Sequence, residues 1–287
     1  MSTGTSALLP MAPAPADSVQ ATLTATHLGD SDVLLRYFMS LRSAVDPALA
    51  RQYPTFTGKR YPLGRCLEIR DAVFAVLQER VNAPQADADA VIADFLRRGG
   101  SARKIWGVLR DTYFQNAIQL GTWYVDVAND TVVPTKPPVE ILPIADADMV
   151  AIRDYRHFAA IAEKYWKTTI YRNSVFPQMA AIFPLVCVNA EGAAWLAAAS
   201  DQVVELTRRN AFQPSLDALA AFPEPPAHGV ALLTRLAARE VDPLLDTDGD
   251  AVQCVKACIA ERRHDDIDYR QRCVAAYRRL RAAVPSV

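Results

Sequence analysis

The sequence is short of most things that announce a function. It has no surplus of either charge: 31 Lys+Arg stand against 32 Asp+Glu, a formal net charge of -1 over 287 residues. The long-range attraction on which nucleic-acid binding relies is therefore missing. No stretch reaches the ~18 to 20 uncharged apolar residues of a membrane span. The opening MSTGTSALLPMAPAPADSVQ has neither the positive start nor the sustained apolar core of a secretory signal, and a cytoplasmic chain is expected. Five cysteines, Cys66, Cys187, Cys254, Cys258 and Cys273, are an odd number without a C-x-x-C pair. They are poor material for a disulfide framework or a zinc knuckle and read as reduced thiols. There is no P-loop, G-x-G-x-x-G, G-x-S-x-G or H-E-x-x-H, which removes the commonest nucleotide-binding and hydrolase signatures. Asp246, Asp248 and Asp250 begin like a calcium loop, yet Ala251 and Ala257 stand where its glycine and closing glutamate belong.

What is present is material for a large core. With 51% apolar, 22% charged and 8% aromatic residues, the chain can fold as one big domain or two modest ones. Residues 1–17 are rich in Ala, Pro, Ser and Thr without a period, which predicts a flexible leader. Beyond it Val33, Leu34, Tyr37, Phe38 and Leu41 recur at three and four, predicting a helix over 30–50 capped by Asp30 or Ser31. Two Tyr-Pro steps and two glycines then break the chain, and Leu67, Val73, Phe74 and Leu77 mark a second helix opening near Cys66. A third, over 87–98, stops at Gly99-Gly100.

The texture changes after Gly100, where β-branched and aromatic residues alternate. Asn116, Ile118 and Leu120 share one face of a strand, Trp123, Val125 and Val127 share one face of the next, and Gly121-Thr122 turns an antiparallel hairpin. Trp106 and Trp123 are expected to be largely buried. From Asp146 the pattern is helical to the end, closing with a helix over 250–283, and FPEPPAHG at 222–229 is an internal linker. The expected fold is α+β, predominantly helical with a small central antiparallel β element between Lys104 and Val133, in regions 18–145 and 146–287 that are separate or continuous.

Two sets of residues carry chemistry. A thiol at a helix N-terminus feels the positive end of the macrodipole, and Cys66, in GRC, is placed for that. The phrases GRCLEIRDAVFAVL, FLRRGGSARKIWGV and QNAIQLGTWYVDVAND follow in order. Over residues 61–131 this order resembles the core of the transglutaminase-like (papain-like cysteine) superfamily. There a G-x-C turn opens a helix, a second helical stretch ends in a phrase like LRAxGIPAR, and a strand pair bears His-Ala-Trp and then WYxVDPT. The resemblance implies that Cys66 is the nucleophile and Asp126 the acid that orients the histidine. The histidine position falls on Asn116, and asparagine cannot relay a proton near neutral pH, so the resemblance implies a fold more than an activity. Read plainly, Cys66 is a core thiol and Asp126 the polar side of an alternating strand.

The second set lies on predicted helices. Asp154 precedes His157 by three residues and Glu261 precedes His264 by three, so each pair would project from one helix face. Helical bundles hold two iron or manganese ions with such pairs plus further carboxylates, here Glu68, Glu163 or Glu205. The plain alternatives are a packed histidine at 157 and an exposed charged face at 261–264. Three functions therefore stand together, and whether the chain is an enzyme stays open. One is a cysteine-dependent acyl-transfer or amide-cleaving protein, either active or catalytically degenerate, without a cofactor. Another is an iron- or manganese-dependent oxidase or oxygenase. The third is a non-enzymatic protein binding a small molecule, peptide or partner, with Tyr155, Phe158, Tyr165, Trp166 and Phe176 as an aromatic wall. Neither nucleic acid nor membrane is an expected partner.

Overall fold

The structure, a computed structural model, describes residues 9–283 apart from 16, 57, 198 and 199. The chain forms two compact units, residues 11–151 and Ile152 onward with Leu9 and Pro10. Among the described residues no helix is long and apolar enough to cross a membrane. The fold is α+β, with helices in the majority, and among the described residues the named strands pair antiparallel.

In residues 11–151 the elements are α1 (Ser18–His27), α2 (Ser31–Gln52), β1 (Thr55–Phe56), β2 (Lys59–Arg60), α3 (Cys66–Asn82), α4 (Asp87–Arg97), β3 (Ala102–Leu109), β4 (Tyr113–Leu120), β5 (Trp123–Asp126), β6 (Glu140–Pro143) and β7 (Met149–Val150). Strands β3 to β7 form one sheet in the order β6-β5-β4-β3-β7. The Asp30 carboxylate caps α2 by accepting from the N–H groups of Asp32 and Val33, and Leu34, Tyr37, Phe38 and Leu41 are buried as their spacing predicts, while Val33 of the same set is exposed. Gly99 ends the α4 turn with φ +97°. The hairpin turns at Gly121-Thr122 with Leu120 opposite Trp123. Gly121 has φ +57°, and a Cβ there would lie 2.2 Å from Thr24 Oγ1, so the turn demands glycine twice over. One face of the sheet packs with Phe38, Leu41, Ile69, Val73 and Phe95 of the helices, and the other carries Ile105, Leu109, Ala117 and Tyr124. Trp106 and Trp123 are half-buried, less than expected.

The second unit contains α5 (Tyr155–Trp166), β8 (Thr168–Arg172), β9 (Leu185–Asn189), β10 (Ala194–Leu196), α6 (Asp201–Arg209), α7 (Gln213–Ala221), α8 (Ala227–Ala237), α9 (Ala251–Ala260) and α10 (Ile267–Ala283). Three expectations are corrected here and near the N-terminus. The chain after Asp146 is not helical throughout: β8, β9 and β10 form a sheet in the order β10-β9-β8. Leu185 to Val188 are all buried, so this strand lacks the alternation that marks one with a solvent face. The helix expected over 250–283 is two, because residues 261–265 form turns and Arg262 takes φ +54°. Residues 1–8 and 16 of the expected leader lie outside the described residues, and residues 9–11 are held in place. Leu9 is buried, Pro10 accepts from the Asp201 N–H, and Met11 bridges Ile105 in parallel.

One buried cation anchors the end of β5. Arg42, with 2% of its side chain exposed, donates through Nη1 to Val127 O (2.7 Å) and Asp130 Oδ1 (3.0 Å), and through Nη2 to Asp130 Oδ2 (3.2 Å). Its Nε donates to Asp46 Oδ1 at 2.6 Å. Removing one member of a buried pair strands the other charge. Arg42→Met should therefore cost about 3 to 5 kcal/mol in urea unfolding. Asp130→Leu should cost less when added to Arg42→Met than when made alone; equal costs in the two backgrounds would show that the pair is not coupled.

Candidate functional site

Cys66 is the first residue of α3. The turn before it is shaped by Arg65, whose guanidinium lies 4.9 Å from the Tyr53 ring centroid and 4.8 Å from that of Phe56 and donates to Glu68 and to Thr55 O. The Cys66 thiol accepts from the Asn116 side-chain amide at 3.4 Å, so the structure brings these two predicted residues together. Burial pushes the thiol up from its ordinary value. The Asn116 donor and the Arg70 charge pull against that rise, while Asp126 and Glu68 add to it. Its neighbour is an amide, which cannot take a proton. His27, the one histidine of this unit, lies 3.7 Å from Asp94 instead.

Asp126 stands on the other face of the sheet. The register pairs Ile118 with Val125, so Asn116, Ile118, Val125 and Val127 point toward α3, and Gln115, Ala117, Tyr124 and Asp126 point away. The hydrogen bonds agree with this alternation. Asp126 Oδ2 accepts from Gln115 Nε2 at 2.7 Å and from the Tyr124 hydroxyl at 3.2 Å, and Oδ1 accepts from the Ala128 N–H at 2.8 Å. The implied Cys66, Asn116 and Asp126 series is thus split by the sheet, with the acid aimed away from the residue it was expected to orient. Alternation itself could have found this, since a strand that puts Val125 and Val127 inward on the α3 side must put Asp126 outward.

On its own face Asp126 lines a cleft of about 210 Å³ together with Gln115, Tyr113, Asn129, Arg110 and Lys136. Asp126 and Gln115 are each 2% exposed. Burial pushes the Asp126 carboxyl up to about 7 and Glu140 adds to the rise, against the pull of its three donors. Those donors fill three of roughly four lone-pair directions on a carboxylate, which leaves one for a ligand. Tyr124 is held protonated, because burial and then the acids Asp126 and Glu140 push its phenol well up. At the rim Lys136 Nζ donates to Asn129 Oδ1 at 3.4 Å, and Arg110 lies 3.6 Å from Glu140. Gln115, Arg110 and Lys136 carried no sequence signal, because no motif marks a lone amide or base.

The side chains of the candidate metal ligands make other contacts. Asp154 is the cap of α5, accepting from the His157 N–H at 2.7 Å, and His157 Nδ1 accepts from the Arg153 N–H at 3.2 Å. Glu261 pairs with Arg263 at 2.6 Å, and both Glu261 and His264 lie at the break between α9 and α10, off any shared helix face. Among the described residues no group of three or more His, Cys, Asp or Glu side chains could hold a metal ion, and Glu68, Glu163 and Glu205 complete none. In the aromatic wall Tyr155, Phe158 and Phe176 are buried, and Trp166 packs edge-on against Phe158 and Trp195. Comparison with models of known families, with curated proteins and with solved structures finds no match to this chain.

Two titrations follow. An acid whose folded-state pKa is raised contributes stability that is complete below its unfolded value and is lost as pH rises through the folded one. Stability should therefore fall between pH ~4 and ~7, by an amount on the order of 4 kcal/mol if Asp126 acted alone. In Asp126→Asn this component of the slope should vanish in melts across that range; an unchanged slope would assign it to another group. For Cys66, alkylation by iodoacetamide should still be accelerating with pH at ~9, against a Cys66→Ser blank. A plateau below pH ~8 would mean a thiolate at neutrality.

Proposed function

We propose that this chain is a binding protein for a small polar molecule, taken up in the cleft floored by Asp126 and Gln115. The observation that carries the reading is a buried carboxyl and a buried amide, bonded to each other and both lining one cleft. Ligand sites of this kind hold a few fixed polar groups in a concave surface, and a volume of about 210 Å³ corresponds to roughly seven waters, so the ligand is small. The Tyr124 hydroxyl and the Ala128 N–H orient the carboxyl before anything binds, which lowers the ordering cost of association. The thiol reading has no histidine beside Cys66 within residues 11–151, and among the described residues the metal reading has no assembled ligand set. A ligand at this cleft uses neither.

A thermal-shift screen of small polar metabolites on the full chain tests this. A true ligand should raise Tm in the wild type, keep its effect in Cys66→Ala, and lose about tenfold in affinity, some 1.4 kcal/mol, in Gln115→Leu. A ligand whose effect disappears in Cys66→Ala and survives Gln115→Leu would move the site to the opposite face of the sheet and overturn the proposal.

A further inference from the structure

The rim of the cleft carries its own chemistry. Lys136 is half-buried, and its ammonium, with three donors to place, meets one acceptor at the long distance of 3.4 Å in Asn129. Among the described residues no carboxylate lies within ion-pair distance of it, whereas Lys104 in the same unit sits 3.2 Å from Asp71. Withdrawing an ammonium partly from water without a counter-charge costs free energy that an incoming anion would return.

Arg110 adds a second cation at the same mouth, and its backbone is unusual. It and Asp111 form the turn between β3 and β4 with φ +52° and φ +49°, and Thr112 N–H closes the turn on Leu109 O at 3.1 Å. Two successive left-handed residues are the requirement of a turn that Asn and Gly satisfy cheaply. Arginine gains nothing there from its backbone, and its side chain reaches the lining of the cleft. Its contact with Glu140 is loose at 3.6 Å, and 43% of the Arg110 side chain is exposed. That leaves donors of the guanidinium for a further acceptor.

We infer that the cleft holds a small organic anion, its negative group between the Lys136 ammonium and the Arg110 guanidinium and its polar remainder against Gln115 and Asp126. The inference rests on the binding reading above and names its ligand class. Two cations at the mouth, Arg110 only loosely paired with Glu140 and Lys136 without a carboxylate, set against a single acid at the floor, favour an anion over a cation, and the small volume excludes a polymer lying within the cleft. Carboxylates and phosphate esters share the required chemistry, and the probes below separate them.

Calorimetric titration of the full chain with succinate, orthophosphate and neutral succinamide tests the inference. At least one anion should bind, and succinamide should bind at least tenfold more weakly. Binding by succinate alone indicates a carboxylate ligand, and by orthophosphate alone a phosphate ester. Lys136→Met and Arg110→Asn should each weaken the anion about tenfold, while Lys104→Met should not. Arg110→Asn suits the left-handed turn, so its Tm should hold or rise, which separates lost binding from lost folding. Failure of both anions to bind at about 10 mM, equal binding of succinamide, or unchanged affinity in both rim variants would each overturn the inference. Neutral hits from the metabolite screen that are lost in Gln115→Leu would leave the binding reading standing while this one falls. A screen in which Gln115→Leu costs nothing removes both.

Discussion

Arg42 is withdrawn almost wholly from water, and a guanidinium so placed costs several kcal/mol unless its donors are met. Asp46, Asp130 and the carbonyl of Val127 meet them. Much of residues 11–151 follows from that constraint. The chain leaving β5 is tied down at Val127 and again at Asp130, which sets the Ala128 N–H against the Asp126 carboxyl. One step further on, Thr131 O accepts from the Gly64 N–H at 3.0 Å, two residues before Cys66. The floor of the cleft and the entry to α3 are both hung from a segment that this cation holds, so a change at Arg42 would reach each of them without touching either.

The sheet acts as a partition. Its inner face presents Asn116 to the Cys66 thiol, and its outer face presents Gln115 and Tyr124 to the Asp126 carboxyl. Consecutive residues of one strand, Gln115 and Asn116, therefore serve different neighbourhoods. Burial pushes both titratable groups up, so the thiol and the carboxyl each favour the neutral form more than their free counterparts do. Neither is placed to pass a proton to the other. What the two faces share is mechanical, because moving β4 along its length would disturb both at once.

The unit from Ile152 onward is organised by packing. A continuous core gathers Phe176, Phe183, Val186, Phe212 and Val274 from strands, turns and helices. Asn173, fully buried, shapes the turn between Phe176 and Phe183 by donating to Phe183 O at 2.8 Å and accepting from the Phe176 N–H at 3.0 Å. The buried hydroxyls of Thr207 and Ser215 meet at 2.6 Å, and Ser215 lies 2.8 Å from Ala181 O. These satisfied polar groups fix the order of a core whose apolar content alone would tolerate several arrangements.

The sequence by itself determined the elements whose signals are local. Asp30 and the spacing of Val33 to Leu41 make α2, the Gly99-Gly100 stop ends α4, and Gly121 turns the hairpin, because caps, turns and periodicity act over a few residues. The alternation of β4 and β5 even contained the separation of Asp126 from Asn116. Only the tertiary structure decided what those faces meet. Arg42 finds Asp130 at a separation of 88 residues, and β9 is buried too completely to show a period. The ionisation of Asp126 depends on neighbours from several strands and loops. Local pattern states which side of an element is buried; the partner on that side, and hence the chemistry of the cleft, is chosen by long-range packing and by the requirement that every buried charge be met.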